Sequence, residues 1–116
     1  MSGEKDKLLY QLHAELCSTM ANPIRLEIIS LLRDDEQSVG DLAELAGVSQ
    51  ASMSQHLTVL RRQAIVKTRR VGASIYYRLS NPKMLKACDI LREILFEHLE
   101  SEQEIMNRLK TGTSEK

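Results

Sequence analysis

The sequence predicts a mainly α-helical domain carrying one small β-hairpin, and three observations predict it. Apolar residues recur at helical spacing through most of the chain. The stretch "AIVKTRRVGASIYYRLS", Ala64 to Ser80, breaks that period with β-branched and aromatic residues on both sides of a glycine. An Asn-Pro pair occurs twice, at Asn22–Pro23 and Asn81–Pro82, each suited to start a helix with an Asn cap and a Pro in the first turn. A chain of 116 residues supports one compact domain, expected over 1–110, with a disordered tail over 111–116.

The elements follow in order. Leu8, Leu9, Leu12, Leu16 and Met20 predict a first helix from about Glu4 to Met20. A second starts at Asn22–Pro23, buries Ile24, Ile28, Leu31 and Leu32, and ends near Arg33. Ser38 with Asp41 three residues on resembles a capping box for a third helix, whose inner face is Leu42, Leu45 and Ala46 and whose stop is Gly47. Ser49 can cap a fourth helix running to about Arg62 or Gln63. Turning each residue by the helical step gathers Met53, Leu57, Leu60 and Ala64 on one side and places Ala51, Gln55, Thr58 and Arg62 opposite, flanked by Ser52 and Ser54. Ile65 to Arg70 and Ser74 to Leu79 are the hairpin strands, with Val71, Gly72 and Ala73 as the turn. A long fifth helix then carries Leu85, Cys88, Leu91, Leu95 and Leu99.

Composition excludes several classes. No apolar run is long enough to span a bilayer, and the first residues lack the apolar core of a signal peptide, so a cytoplasmic protein without a membrane partner is expected. Two cysteines, Cys17 and Cys88, are too few for the disulfide framework of a small secreted domain. No acid/base pair, glycine-rich phosphate loop or activated nucleophile is present, so no enzyme is expected and no cofactor is required. Net charge is +0, which alone argues against a polyanion partner. Its distribution argues the reverse, because no acid occurs between Glu44 and Asp89 while Arg61, Arg62, Lys67, Arg69, Arg70, Arg78, Lys83 and Lys86 all fall there.

Helix, tight turn, helix and hairpin make a winged helix-turn-helix, and the residue types fit its use. A helix entering the major groove needs short hydrogen-bonding side chains and no carboxylate facing phosphate. Ser49, Gln50, Ser52, Ser54, Gln55 and Thr58 meet that need, Arg61 or Arg62, Lys67, Arg69 and Arg70 supply attraction to the phosphate backbone, and Ser74 near the hairpin tip joins the DNA-binding set. Each piece alone also reads as a solvated surface; their coincidence points to double-stranded DNA. The broad apolar faces of the first and last helices are more than a core this small covers, which predicts a homodimer reading a pseudo-palindromic operator. A competing class is a winged-helix protein-interaction module, whose basic face would be incidental.

The segments "ANPIRLEIISLL", "SVGDLAELAGVSQASMSQHLTVLRR" and "IYYRL" resemble the ArsR/SmtB family of winged-helix transcriptional repressors, over about Leu12 to His98. The resemblance implies a homodimer built from the first and last helices that leaves its operator when an inducer is sensed. Arsenite- and cadmium-sensing members have a Cys-x-Cys pair where this chain has Ser38, Val39 and Gly40. Zinc sensors place Asp, His, His and Glu on the last helix; aligning His98 with the downstream histidine leaves Leu85, Ala87 and Ser101 at the other positions. Members responding to sulfide or persulfide have one cysteine in the second helix and one in the last, and here Ser30 stands near the first of these.

Three readings of this chain's own cysteines stay open. Cys17 and Cys88 can pack in the dimer interface; they can form a dithiol switch if their helices bring the α-carbons within about 7 Å; or, with His13 one helical turn before Cys17, they can bind a metal, which gives a metal-responsive repressor as the alternative.

Overall fold

The computed structural model describes residues 3–100 and 102–111. The elements run α1 (Gly3–Met20), α2 (Pro23–Leu31), β1 (Gln37–Ser38), α3 (Val39–Ala46), α4 (Gln50–Arg62), β2 (Val66–Val71), β3 (Ser74–Leu79), α5 (Lys83–Glu100) and α6 (Gln103–Lys110). They form two compact units, Met1–Leu85 and Lys86–Lys116. Of the expected tail, residues 112–116 lie outside the described residues, while Thr111 caps α6 with its N–H donating to the Asn107 carbonyl.

In the first unit the sequence signals act locally as expected. Asn22 Oδ1 accepts from the N–H groups of Ile24 (2.9 Å) and Arg25 (3.1 Å), satisfying two orphan donors at the start of α2. Ser38 Oγ accepts from Asp41 N–H at 3.1 Å and Ser49 Oγ from Ser52 N–H at 3.0 Å, so both helices of the helix-turn-helix are capped by serine. Asn81 Oδ1 does the same for Lys83 N–H.

The core is built from α2, α3 and α4. Ile28, Ile29, Leu42, Met53, Leu57 and Leu60 are fully buried, joined by Leu32, Ala43, Ile65 and Val66. Burial of side chains of this size stabilises by roughly 1.5–3 kcal/mol each, so the three from α4 fix which way that helix faces. On α3 the buried pair is Leu42 and Ala43, and Leu45, expected inside, is 55 % exposed. An eight-residue helix accommodates two neighbouring choices of apolar stripe, and contact with its neighbours decides between them.

Helices α3 and α4 end alike. Val48 N–H donates to the Ala43 carbonyl after Gly47 at φ 70°, and Ile65 N–H donates to the Leu60 carbonyl after Ala64 at φ 60°. Each is a Schellman close, in which a left-handed residue reverses the chain and satisfies the last carbonyls. Ala64 therefore does not extend the inner face of α4; it is exposed and turns the chain so that Ile65 and Val66 enter the core.

The sheet has three strands in the order β1-β3-β2, all antiparallel. β1, only Gln37 and Ser38, was invisible to periodicity because two residues have none; it pairs with Tyr77 and Tyr76 of β3. Val71 pairs with Ser74 instead of lying in the turn, leaving a two-residue loop with Gly72 at φ 62°, a conformation that glycine adopts without steric cost. In the second unit α6 is an element the sequence reading did not separate from α5.

The two Schellman closes differ in their left-handed residue, and only one carries glycine. Ala64→Gly is expected to stabilise the fold by about 0.5–1 kcal/mol by relieving that strain, whereas Gly47→Ala destabilises it by about 1 kcal/mol. Urea midpoints at unchanged m-value check both.

Candidate nucleic-acid interface

With Met53, Leu57 and Leu60 buried, the opposite face of α4 presents Ala51, Ser54, Gln55, Thr58 and Arg62, all exposed. Gln55 is the long amide at its centre. The remaining polar residues are partly committed. Ser49 Oγ is occupied by its cap, Ser52 is half-buried, and Thr58 Oγ1 donates back to the Ser54 carbonyl at 2.8 Å. Gln50 is exposed and reaches over the start of α3, where a Cβ on Gly40 would lie 3.5 Å from its Nε2.

A residue that the sequence reading passed over braces the flank of α4. Arg25 Nε donates to His56 Nδ1 at 3.3 Å, and Arg25 Nη1 donates to the Thr19 carbonyl at 2.9 Å. One guanidinium thus links the end of α1, the first turn of α2 and the flank of α4. His56 is half-buried, with its Nδ1 accepting from Arg25. The Arg in "NPIRL" was the available signal, but its partner lies 31 positions away.

The hairpin splits the expected cationic cluster. Strand alternation and the register place Val66, Thr68 and Arg70 on one face with Ile75, Tyr77 and Leu79, and Lys67 and Arg69 on the other with Ser74, Tyr76 and Arg78. The first face turns to α4, since Tyr77 lines a depression there with Thr58, Arg61 and Arg62. Arg70 therefore shares the α4 side, Arg69 and Ser74 do not, and Lys67, on the edge strand, lines a depression together with Arg61 of α4.

Arg69 is also paired. Its Nε donates to Glu36 Oε1 at 3.1 Å, its Nη2 donates to Glu36 Oε2, and its guanidinium lies 5.8 Å from the centre of the Tyr76 ring. The middle of the chain lacks acids only along the sequence; the fold delivers Glu36 to the wing from the segment before β1. The Arg69 hydrogen bond holds the Glu36 carboxyl below the usual glutamate range, with the charges of Arg69 and Arg78 adding to it, and Glu36 in turn raises the Arg69 guanidinium.

Cys17 is exposed on α1 and Cys88 half-buried on α5, both as free thiols, and burial pushes the Cys88 thiol up. His13 shares the exposed surface of α1 with Cys17, whereas Cys88 belongs to the second unit. Among the described residues no group of three or more His, Cys, Asp or Glu side chains is placed to hold a metal ion. No helix among them is long and apolar enough to cross a membrane.

The sequence pattern of the bacterial regulatory proteins of the arsR family matches residues 22–68, the span from the α2 cap to the start of the wing. The crystal structure of Rv0081 from M. tuberculosis superposes with a TM-score of 0.75 at 35 % identity, over 81 % of this chain and 95 % of that one. The chain belongs to the ArsR family. The biofilm growth-associated repressor of Xylella fastidiosa is 40 % identical over 81 residues, 70 % of this chain and 71 % of its own. The homodimeric winged helix-turn-helix DNA-binding domain of Mb0332 from Mycobacterium bovis superposes with a TM-score of 0.74 at 29 % identity, over 85 % of this chain and 91 % of that one. This ArsR-family protein is a DNA-binding transcriptional regulator and not an enzyme.

The Glu36–Arg69 pair sets a pH dependence whose sign follows from the lowered carboxyl. Its contribution to stability is present above the ordinary glutamate range and is lost as pH falls through the lower folded-state value. A carboxyl-detected NMR titration should place the Glu36 midpoint below that of an unpaired glutamate, and Arg69→Ala should return it to the ordinary range.

Proposed function

We propose that two copies of this regulator pair through α1 and α5 and repress transcription in the cytoplasm by occupying a pseudo-palindromic operator, one α4 in each half-site. The observation that carries the operator contact is the outer face of α4. It presents Gln55 between Ser54 and Arg62 with no carboxylate among them, on a helix clamped from behind by three fully buried side chains. Glutamine can pair with adenine through two hydrogen bonds, and a rigid helix keeps that geometry at little entropic cost. Arg70, on the sheet face turned to α4, adds attraction to phosphate that does not depend on sequence.

Pairing is supported by apolar surface at helical spacing. Leu8, Leu9 and Leu12 of α1 and Leu91, Ile94 and Leu95 of α5 are each at least half exposed in the single chain, more than an isolated soluble subunit ordinarily leaves uncovered. The homodimeric Mycobacterium bovis relative supports the same assembly. Two copies about a twofold axis place their α4 helices for half-sites about one helical turn of DNA apart.

Release by an inducer is assigned to the cysteines. Cys17 is open to oxidants or sulfur donors and would react first, because burial keeps Cys88 in its less nucleophilic thiol form. Mass spectrometry after disulfide, persulfide and metal challenges, with operator affinity measured before and after, should show a cysteine modification that accompanies loss of binding. Replacing both cysteines by serine should abolish that response, and a response that survives would overturn the assignment.

For the operator contact, Gln55→Ala should weaken binding by about 1–3 kcal/mol at one base position and relax the preference there, while Arg70→Ala should weaken all sequences alike and lower the salt slope by about one. Fluorescence anisotropy with operator variants across a salt series separates the two. Affinity that varies with neither salt nor sequence would indicate a protein-interaction module instead.

A further inference from the structure

Arg25 joins three elements, and its bond to α1 answers a deficit that the chain itself creates. The helical partner of the Thr19 carbonyl would be the N–H of position 23, which is proline, so α1 ends with a carbonyl that its own backbone leaves unsatisfied. Thr19 is buried, which makes water a poor substitute. Arg25 Nη1 takes that carbonyl at 2.9 Å while Nε of the same guanidinium donates to His56 Nδ1 at 3.3 Å. The root of the side chain is fixed as well, because the Arg25 N–H is held by the Asn22 cap at 3.1 Å.

The bond to His56 supplies what the apolar clamp lacks. Met53, Leu57 and Leu60 decide which side of α4 faces inward, but burial is non-directional and tolerates small slides along the helix axis. A hydrogen bond from a planar guanidinium fixes both distance and angle. His56 directly follows Gln55, so the helix position that Arg25 holds is the one from which Gln55 is presented. A two-bond contact with a base edge is lost on a displacement of about 1 Å. The other end of the bridge is α1, to which the pairing of two copies is assigned above, so Arg25 refers the reading helix to the helix on which the twofold is built.

We propose that Arg25 and His56 are positioning residues for operator recognition: they touch no base, and they set the distance and angle at which Gln55 meets its base pair. The inference rests on the operator reading above. It gives two half-buried residues beside the interface a share of its sequence selectivity.

The experiment uses the full-length protein to enrich a duplex from a random-sequence pool, then measures affinity for that duplex and for a scrambled one of equal length by fluorescence anisotropy. Arg25→Lys keeps the charge but replaces the fork by a point donor, so it should lower affinity for the enriched duplex about tenfold and leave the scrambled one within about twofold. His56→Ala should do the same. His56→Asn, which puts an amide oxygen near the place of Nδ1, should restore selectivity. Added to Gln55→Ala, Arg25→Lys should cause little further loss, because the contact it positions is already gone. Matching urea midpoints establish that each variant is folded, and the two His56 variants carry the comparison where Arg25→Lys is not. Equal losses on both duplexes, losses that add in full to that of Gln55→Ala, or a His56→Asn protein as unselective as His56→Ala, overturn the proposal. A parent protein that enriches no duplex overturns the operator reading, and the positioning role with it.

Discussion

The structure depends most on the clamping of α4 by Met53, Leu57 and Leu60. These side chains lie one helical turn apart and are fully withdrawn from water against Ile28, Ile29 and Leu42. Rotating α4 would expose several of them at roughly 1.5–3 kcal/mol each, more than any surface contact of this helix could return. Everything presented outward is therefore presented in fixed geometry, including Gln55 and Arg62. Arg25 reinforces the clamp from the flank by joining His56 to the end of α1.

The way α4 ends matters as much as the way it is held. Because Ala64 takes a left-handed conformation, the chain reverses within a few residues and Ile65 and Val66 drop into the core behind the helix. The hairpin is thereby anchored at its base, and its pleat sorts the arginines: Arg70 goes to the side of α4, and Arg69 to the opposite side, where Glu36 and Tyr76 receive it. A wing that looks uniformly cationic along the chain thus carries Arg70 on the face turned to α4 and, on the other, an Arg69 whose charge is paired with Glu36. The Glu36 pair is exposed, and such pairs contribute little to stability, so its consequence lies in which cation remains available.

Most of the fold was legible. The Asn22 and Asn81 starts, the Ser38 and Ser49 caps, the Gly47 stop and the buried face of α4 all follow from interactions within about four residues, which the sequence displays directly. The errors have the same explanation reversed. Leu45 and Ala64 sit where a short periodic pattern extends equally well in two ways; β1 is too short to carry a period; α6 follows α5 with no proline or glycine between them.

The sequence by itself determined that α4 would have a buried apolar side and a polar, carboxylate-free outer side, because helical periodicity is a local property. It also determined that α1 and α5 would carry apolar surface in excess of a small core. The tertiary structure alone decided which cations are free, which serine hydroxyls are already engaged, and that Arg25 fixes His56. It alone placed Arg61, Lys67 and Ser80 around one cavity. Those outcomes come from pairings up to 33 positions apart, such as Glu36 with Arg69, set by strand register and chain reversal. No window along the chain contains both partners.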